Sequence, residues 1–182
     1  MTRTSLLAAL FVIAGFIAVQ LAAAAPLIAD RDRLRLQVDK ETVLGEQAQV
    51  MAARLRAAGR DPAGVRVYAG EIGVIGYTLM DCEMIDSAGI VSPEALAARA
   101  ADWERLKAAK PDAGWKERWT GTPAWSRELI VRFQPDYIAS NAAYLHLPTL
   151  ALEPEFQARY RLIDSRDDHD HNRFVVYERK QE

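Results

Sequence analysis

Two imidazoles and three carboxylates fall within five residues at Asp167-Asp168-His169-Asp170-His171, the donor types that a zinc or other divalent ion takes. Histidines two apart in an extended segment point the same way. The same residues also read as the solvated tip of a hairpin, which does not preorganise a site, so adventitious metal affinity is expected rather than a functional centre. Gly70, Gly73 and Gly76 form a second pattern, G-x-x-G-x-x-G, between a strand-like run and helix-like sequence, where backbone amides can approach a phosphate. It is neither the dinucleotide fingerprint nor a Walker loop, and no Lys-Ser/Thr pair follows it. A turn with close helix-to-strand packing explains three glycines without a ligand. Glu71, Asp81, Glu83 and Asp86 offer carboxylates around one sheet edge, and Asp86 closes the second predicted strand, where α/β sheets open ligand crevices. Surface carboxylates are far commoner than catalytic pairs, and no spacing in the sequence fixes the distance between these four. His146 reads as a partly buried histidine. The sequence has no G-x-S-x-G, no H-E-x-x-H and no lone cysteine with a sequence-linked histidine, so no catalytic residue is assigned and no metal ligand or cofactor is expected.

Trp115, Trp119 and Trp125, three of the four tryptophans, fall in eleven residues interleaved with Lys116, Arg118, Gly121 and Pro123. Indole faces stack on sugar rings and dominate protein interfaces. The three are expected to form the aromatic part of a surface for a glycan or a partner membrane protein; the alternative is a satellite core folded back over the helices. With Gly70, Glu71 and Asp86 they make up the candidate ligand-binding set.

The elements that must position these residues follow from periodicity and punctuation. Leu34, Val38, Val43, Leu44, Ala48, Met51, Ala52 and Leu55 recur at helical spacing, which predicts an amphipathic connecting helix over residues 30–62, with Gly45 as the point where it can break. Gly59 stands where a helix ends on a positive φ, and Asp61-Pro62 prevents continuation. Val65-Arg66-Val67-Tyr68-Ala69 alternates as a strand that Gly70 ends, a helical turn follows over 72–79, and Glu83-Met84-Ile85-Asp86 is a second strand. Ser92-Pro93-Glu94 opens a helix: serine accepts from a free first-turn amide, proline suits the first helical position, and the acid complements the dipole. Leu96, Ala97, Ala100, Trp103 and Leu106 lie along it. A loop over 110–125, a helix over 126–133, a strand over 137–139, a turn over 154–157 and a hairpin of 160–163 with 173–178 complete the chain. Alternating short strands and helices predict a small layered α/β domain over residues 63–182, with a mixed sheet of about five strands and a C-terminal hairpin. Its core is expected from Val65, Val67, Ile72, Ile85, Ile138, Leu162 and Val175 on the sheet, and from Leu96 and Leu106 on covering helices.

A chain of 182 residues, half of them hydrophobic, accommodates one such core and one dedicated apolar segment. A net charge of −2 gives no field that favours nucleic acid. Cys82 is the only cysteine, so neither an intrachain disulfide nor a cysteine metal cluster forms. Residues 5–29 carry Gln20 as their only strongly polar residue and are long enough for a spanning helix. An uncleaved anchor over residues 1–29 is expected, because the run exceeds the usual h-region of about 7–15 residues; a signal peptide cleaved after Ala22-Ala23-Ala24 is the alternative. Arg31, Arg33 and Arg35 after the segment favour a cytoplasmic C-terminus, although long domains cross the membrane despite flanking charge.

One further reading rests on likeness. Ala69-Gly70-Glu71-Ile72-Gly73-Val74-Ile75-Gly76-Tyr77, then Met84-Ile85-Asp86-Ser87-Ala88-Gly89-Ile90-Val91-Ser92-Pro93-Glu94, resembles a block in the extracytoplasmic C-terminal domain of multi-pass membrane glycosyltransferases of the GT-C class, which take sugars from polyprenyl-phosphate carriers. Phe133-Gln134-Pro135-Asp136-Tyr137-Ile138, Pro154-Glu155-Phe156, Tyr160-Arg161-Leu162 and Phe174-Val175-Val176-Tyr177 extend the resemblance over most of residues 65–179. The resemblance implies an α/β fold, tethering to the inner membrane by a single pass, and an extracytoplasmic C-terminal domain. Such enzymes carry a many-helix catalytic membrane domain with an essential acidic residue on an early extracytoplasmic loop. This chain offers one candidate helix and no such loop, so no catalytic residue is carried over. The expected role is a non-catalytic accessory or remnant domain that binds a multi-pass partner or a glycan. The alternatives are the C-terminal part of a split or truncated transferase and a secreted periplasmic ligand-binding protein.

Overall fold

The computed structural model describes residues 31–87, 89–112, 114, 124–142 and 145–181. Residues 1–39 and 40–182 form two compact units, and helix α1 (Arg31–Ala57) begins in the first. Among the described residues no helix is long and apolar enough to cross a membrane; the expected span over residues 5–29 lies outside them.

From Lys40 onward the chain builds a sheet covered on both sides. Helix α1 does not break at Gly45. A Cβ there would meet Val74 Cγ2 of helix α2 (Gly73–Thr78) at 3.4 Å, an ordinary packing contact. The end of α1 follows its sequence: Gly59 takes φ 60°, its amide donates to the Arg56 carbonyl, and the Arg60 amide donates to the Leu55 carbonyl, both at 3.1 Å. This is the double bond pattern of a glycine-terminated helix.

Strand β1 (Arg66–Ala69) is central among the parallel strands and pairs with β2 (Glu83–Asp86) on one side and β3 (Tyr137–Asn141) on the other. The C-terminal hairpin of β4 (Tyr160–Asp167) and β5 (Arg173–Arg179) then adds antiparallel through β5, giving a five-stranded mixed sheet in the order β2-β1-β3-β5-β4. Successive side chains alternate faces. Val67, Ala69, Tyr137, Ala139, Phe174 and Val176 meet Leu44, Ala48, Met51 and Leu55 of α1 together with Ile75 of α2. Tyr68, Ile85, Ile138 and Val175 face the other way, onto α3 (Pro93–Ala109), α4 (Ala124–Phe133), α5 (Leu147–Leu150) and α6 (Pro154–Arg159). Both faces of β1 beyond Arg66, and of β3 up to Ser140, are buried, as expected of parallel strands covered on two sides.

Of the expected core, Val65, Val67, Ile85, Ile138 and Val175 are buried, and Ile72 and Leu106 are half-buried. Two positions differ. Leu96 is exposed, because α3 turns Ala95, Ala98 and Asp102 inward; an alanine-rich helix offers more than one plausible stripe, and packing selects the one with the smaller residues. Leu162 is exposed too. Strand β4 slips register between Leu162 and Asp164, and the bulge sends Ile163 toward the core in its place.

Candidate functional site

The carboxyl ends of β1, β2 and β3 are stitched together: the Ser87 amide donates to the Ala69 carbonyl at 3.0 Å, Ser87 Oγ donates to the Gly70 carbonyl at 3.3 Å, and the Gly70 amide donates to the Ala139 carbonyl at 3.1 Å. The chain leaves β1 toward α2 on one face and leaves β3 toward α5 on the other, which makes the gap between them a topological switch point. Glu71 stands at this end with one carboxylate oxygen 3.1 Å from Lys40 Nζ. Asp86 is buried, and its Oδ2 accepts from the amides of Ile90 at 2.6 Å and Val91 at 3.3 Å. Ser92 does not cap α3 with its side chain as its position suggests. Its Oγ accepts from the Asp86 amide at 2.8 Å, because the loop curls back before the helix begins.

Gly89 turns that loop at φ 80°, and a Cβ there would sit 2.7 Å from Leu96 Cβ and 2.8 Å from the Leu96 backbone. Gly89→Ala is therefore expected to cost about 2–3 kcal/mol in stability, from left-handed backbone and overpacking together. Denaturant unfolding and amide exchange at Ile90 and Val91 measure it; unchanged protection at both amides would remove the loop's dependence on Gly89.

The four carboxylates expected around one edge are divided between two ends. Asp81 and Glu83 lie at the amino end of β2, with Glu83 accepting from Arg66 Nε at 3.0 Å, while Glu71 and Asp86 lie at the carboxyl ends. The ends of a four-residue strand are about 10 Å apart, too far for a shared proton or water between all four.

At the amino ends of the strands the tertiary structure assembles a polar cluster that no sequence spacing announces. Asp136, buried just before β3, accepts from the Arg66 amide at 2.9 Å, Arg60 Nη2 at 3.0 Å and Arg179 Nη2 at 2.9 Å. Burial alone would raise its carboxyl; the Arg66 amide and the two guanidiniums hold it below the ordinary value. Beside it Glu178 receives paired bonds from Arg54 (3.0 and 2.8 Å) and from Arg161 (3.0 and 2.6 Å), and one from Tyr137 Oη at 3.2 Å. Arg54 is the main cause that lowers the Glu178 carboxyl to about 2, against opposing burial and with help from Arg161. Burial first, and then the neighbouring Glu178 charge, push the Tyr137 phenol up to about 12. Because the folded-state value is depressed, Glu178 stabilises the fold fully above its ordinary value of 4.5, and this is lost as pH falls toward about 2. Solvent screening limits the contribution to about 1–2 kcal/mol. Glu178→Gln is expected to flatten the decline in denaturant midpoint across this pH range; an equally steep decline in the variant would assign it to other carboxylates.

A family model, Domain of unknown function (DUF8728), matches residues 36–177. The chain belongs to the DUF8728 family. No curated protein and no solved structure matches it. The DUF8728 match contains all of β1, β2, β3 and β4, the Asp86 loop and Asp136.

The remaining candidate residues of this DUF8728 domain are placed as follows. Trp115 and Trp119 lie outside the described residues. Trp125 is 4 % exposed on α4, in the core with Leu129, Ala98 and Ile138, and Arg99 Cζ lies 5.7 Å from its ring centroid. The expectation of an exposed indole does not hold for Trp125: it falls on the inward stripe of α4 with Leu129, four residues on. Gly70, Gly73 and Gly76 take no positive φ, and a Cβ at Gly73 would meet only the Glu41 carboxylate, at 3.5 Å. In the 167–171 segment Asp168 turns on its own loop, with Oδ1 accepting from the amides of Asp170 and Asn172, both at 2.9 Å. Among the described residues no group of three His, Cys, Asp or Glu side chains is placed to hold a metal ion. His146 is half-buried at φ 51° ahead of α5, and burial lowers its imidazole below the ordinary value.

Proposed function

We propose that this domain is a non-catalytic accessory or remnant domain of a glycosyltransferase system, held at the extracytoplasmic face of the inner membrane by residues 5–29, where it binds a multi-pass membrane partner or its glycan. One observation carries the reading. Within one of the blocks that carry the resemblance, Asp86, Gly89 and Ser92 close a loop on itself, the carboxylate and the serine hydroxyl each accepting from backbone amides and the glycine making the turn. These residues set the shape of the loop, and the loop presents Ile90 and Val91, 81 % and 56 % exposed, outward. That shape suits a binding role beside a catalytic partner.

Deletion of the gene in the source organism tests the proposal. Glycans assembled from lipid-linked sugars should be depleted, wild-type chain should restore them, and the exposed double variant Ile90→Ser/Val91→Ser should not, while the purified chain alone transfers no sugar from a polyprenyl-phosphate donor. An unaltered glycan profile after deletion would overturn the reading. Transfer that appears only when a multi-pass protein is added back would assign the chain to a split enzyme instead.

A further inference from the structure

Two adjoining grooves, of about 800 and 750 Å³, open at the amino ends of the strands, on the side of the sheet away from the Asp86 loop. They share Arg60, Arg179, Lys180 and Gln181, and are otherwise bounded chiefly by the end of α1, the end of α6 and the start of β4. Six cations line them, Arg54, Arg60, Arg159, Arg161, Arg179 and Lys180, against two carboxylates, Asp136 and Glu178. Four positive charges are therefore in excess, in a chain whose net charge is −2.

The charge is also oriented. Arg60 and Arg179 each give a single Nη2 donor to Asp136 Oδ1, at 3.0 and 2.9 Å, although a guanidinium carries five. Asp136 is 7 % exposed at its side chain and is fixed by the Arg66 amide, so it anchors both arginines without satisfying them. Arg159 has no ion-pair partner among the described residues, and Lys180 Nζ meets the Gln157 carbonyl at 2.6 Å. Next to Arg159 and Tyr160 a smaller cavity of about 110 Å³ has an apolar wall of Ile130, Val131, Leu150 and Phe156, with the Arg127–Glu153 ion pair and Glu155 at its rim. Fixed guanidiniums with spare donors suit oxyanions, which they bind by charge-assisted and often paired hydrogen bonds.

We infer that this groove binds a phosphate-bearing anion of two or more charges, gripped by Arg60, Arg179, Arg159 and Lys180, with the apolar wall beside Arg159 receiving the less polar part of the molecule. The inference stands on the groove alone and is independent of the glycosyltransferase reading. The phosphate is either that of a free ester or diphosphate or that of a lipid headgroup.

Calorimetric titration of the full chain in phosphatidylcholine nanodiscs with inorganic pyrophosphate tests it. Saturable binding that weakens with added salt is expected. Arg159→Gln/Lys180→Gln, at two exposed positions outside the Asp136 and Glu178 clusters, should weaken that binding by about tenfold or more, while Lys107→Gln on α3 leaves it unchanged. Arg159→Gln alone, with an unaltered circular dichroism spectrum, should give an intermediate loss. Discs that also contain phosphatidic acid separate the two sources: pyrophosphate binding retained there favours a free phosphate compound, and binding suppressed there favours a headgroup. Absence of saturable binding, or equal binding by the wild type and the double variant, would overturn the inference.

Discussion

Replacing Asp136 by alanine is expected to lower the unfolding free energy by about 3–5 kcal/mol, the usual consequence of removing one partner from a buried ion cluster. The carboxylate ties together four places that are remote in the chain: Arg60 beyond the end of α1, the first amide of β1, β3 itself, and Arg179 at the end of β5. Its backbone is tied as well, with the Asp136 amide donating to the Arg66 carbonyl and the Arg179 amide donating to the Asp136 carbonyl, both at 2.8 Å. Truncation removes three hydrogen bonds to a buried carboxylate at once and leaves the Arg66 amide without its acceptor, while the two guanidiniums, each about a third exposed, turn to the water of the groove. Asp136→Asn keeps an acceptor and loses the charge, so an intermediate loss is expected. Urea unfolding of the full chain measures both; a loss below about 1 kcal/mol for the alanine variant would mean that the strand ends and the arginines are held by something other than this carboxylate.

Trp125→Ala should destabilise the domain by a similar amount, about 3–5 kcal/mol, because an indole nearly closed to solvent leaves a large cavity when removed. Its neighbours, Leu129 on the same helix and Ile138 and Val175 on the sheet, belong to relatively rigid elements and cannot collapse fully into the space. The fluorescence of Trp125, isolated by changing the other three tryptophans to phenylalanine, should be shielded from acrylamide. A melting temperature within experimental error of the wild type, together with free quenching, would return this residue to the surface and revive an exposed aromatic cluster.

Most of the element boundaries were legible from local rules. The Gly59 stop, the Pro93 start and the strand at 83–86 each depend on residues within a few positions of one another, and the last two strands pair across one short polar turn. Turn chemistry and strand alternation act at that range, so a single sequence carries them. What failed was the choice among equivalent faces. Leu96 and Ala95 both fit a helical stripe, Leu162 and Ile163 both fit a strand, and Trp125 fits either a surface or a core; the decision came from a bulge and from which neighbour lay opposite.

The site divides in the same way. Asp86, Gly89 and Ser92 were visible as a block because their partners lie within ten residues, yet their use as a self-closing loop needed coordinates. Asp136 with Arg60 and Arg179, and Glu178 with Arg54 and Arg161, gave no motif. Their separations range from 17 to 124 residues, and an isolated arginine or acid in a sequence is indistinguishable from a solvated surface charge. The sequence by itself determined a small layered α/β domain with a C-terminal hairpin, since hydrophobic period and turn residues act locally. Only the tertiary structure decided which charges meet, because strand order β2-β1-β3-β5-β4 brings the end of α1 and the end of β5 to the start of β3, and charge pairing depends on distance in space.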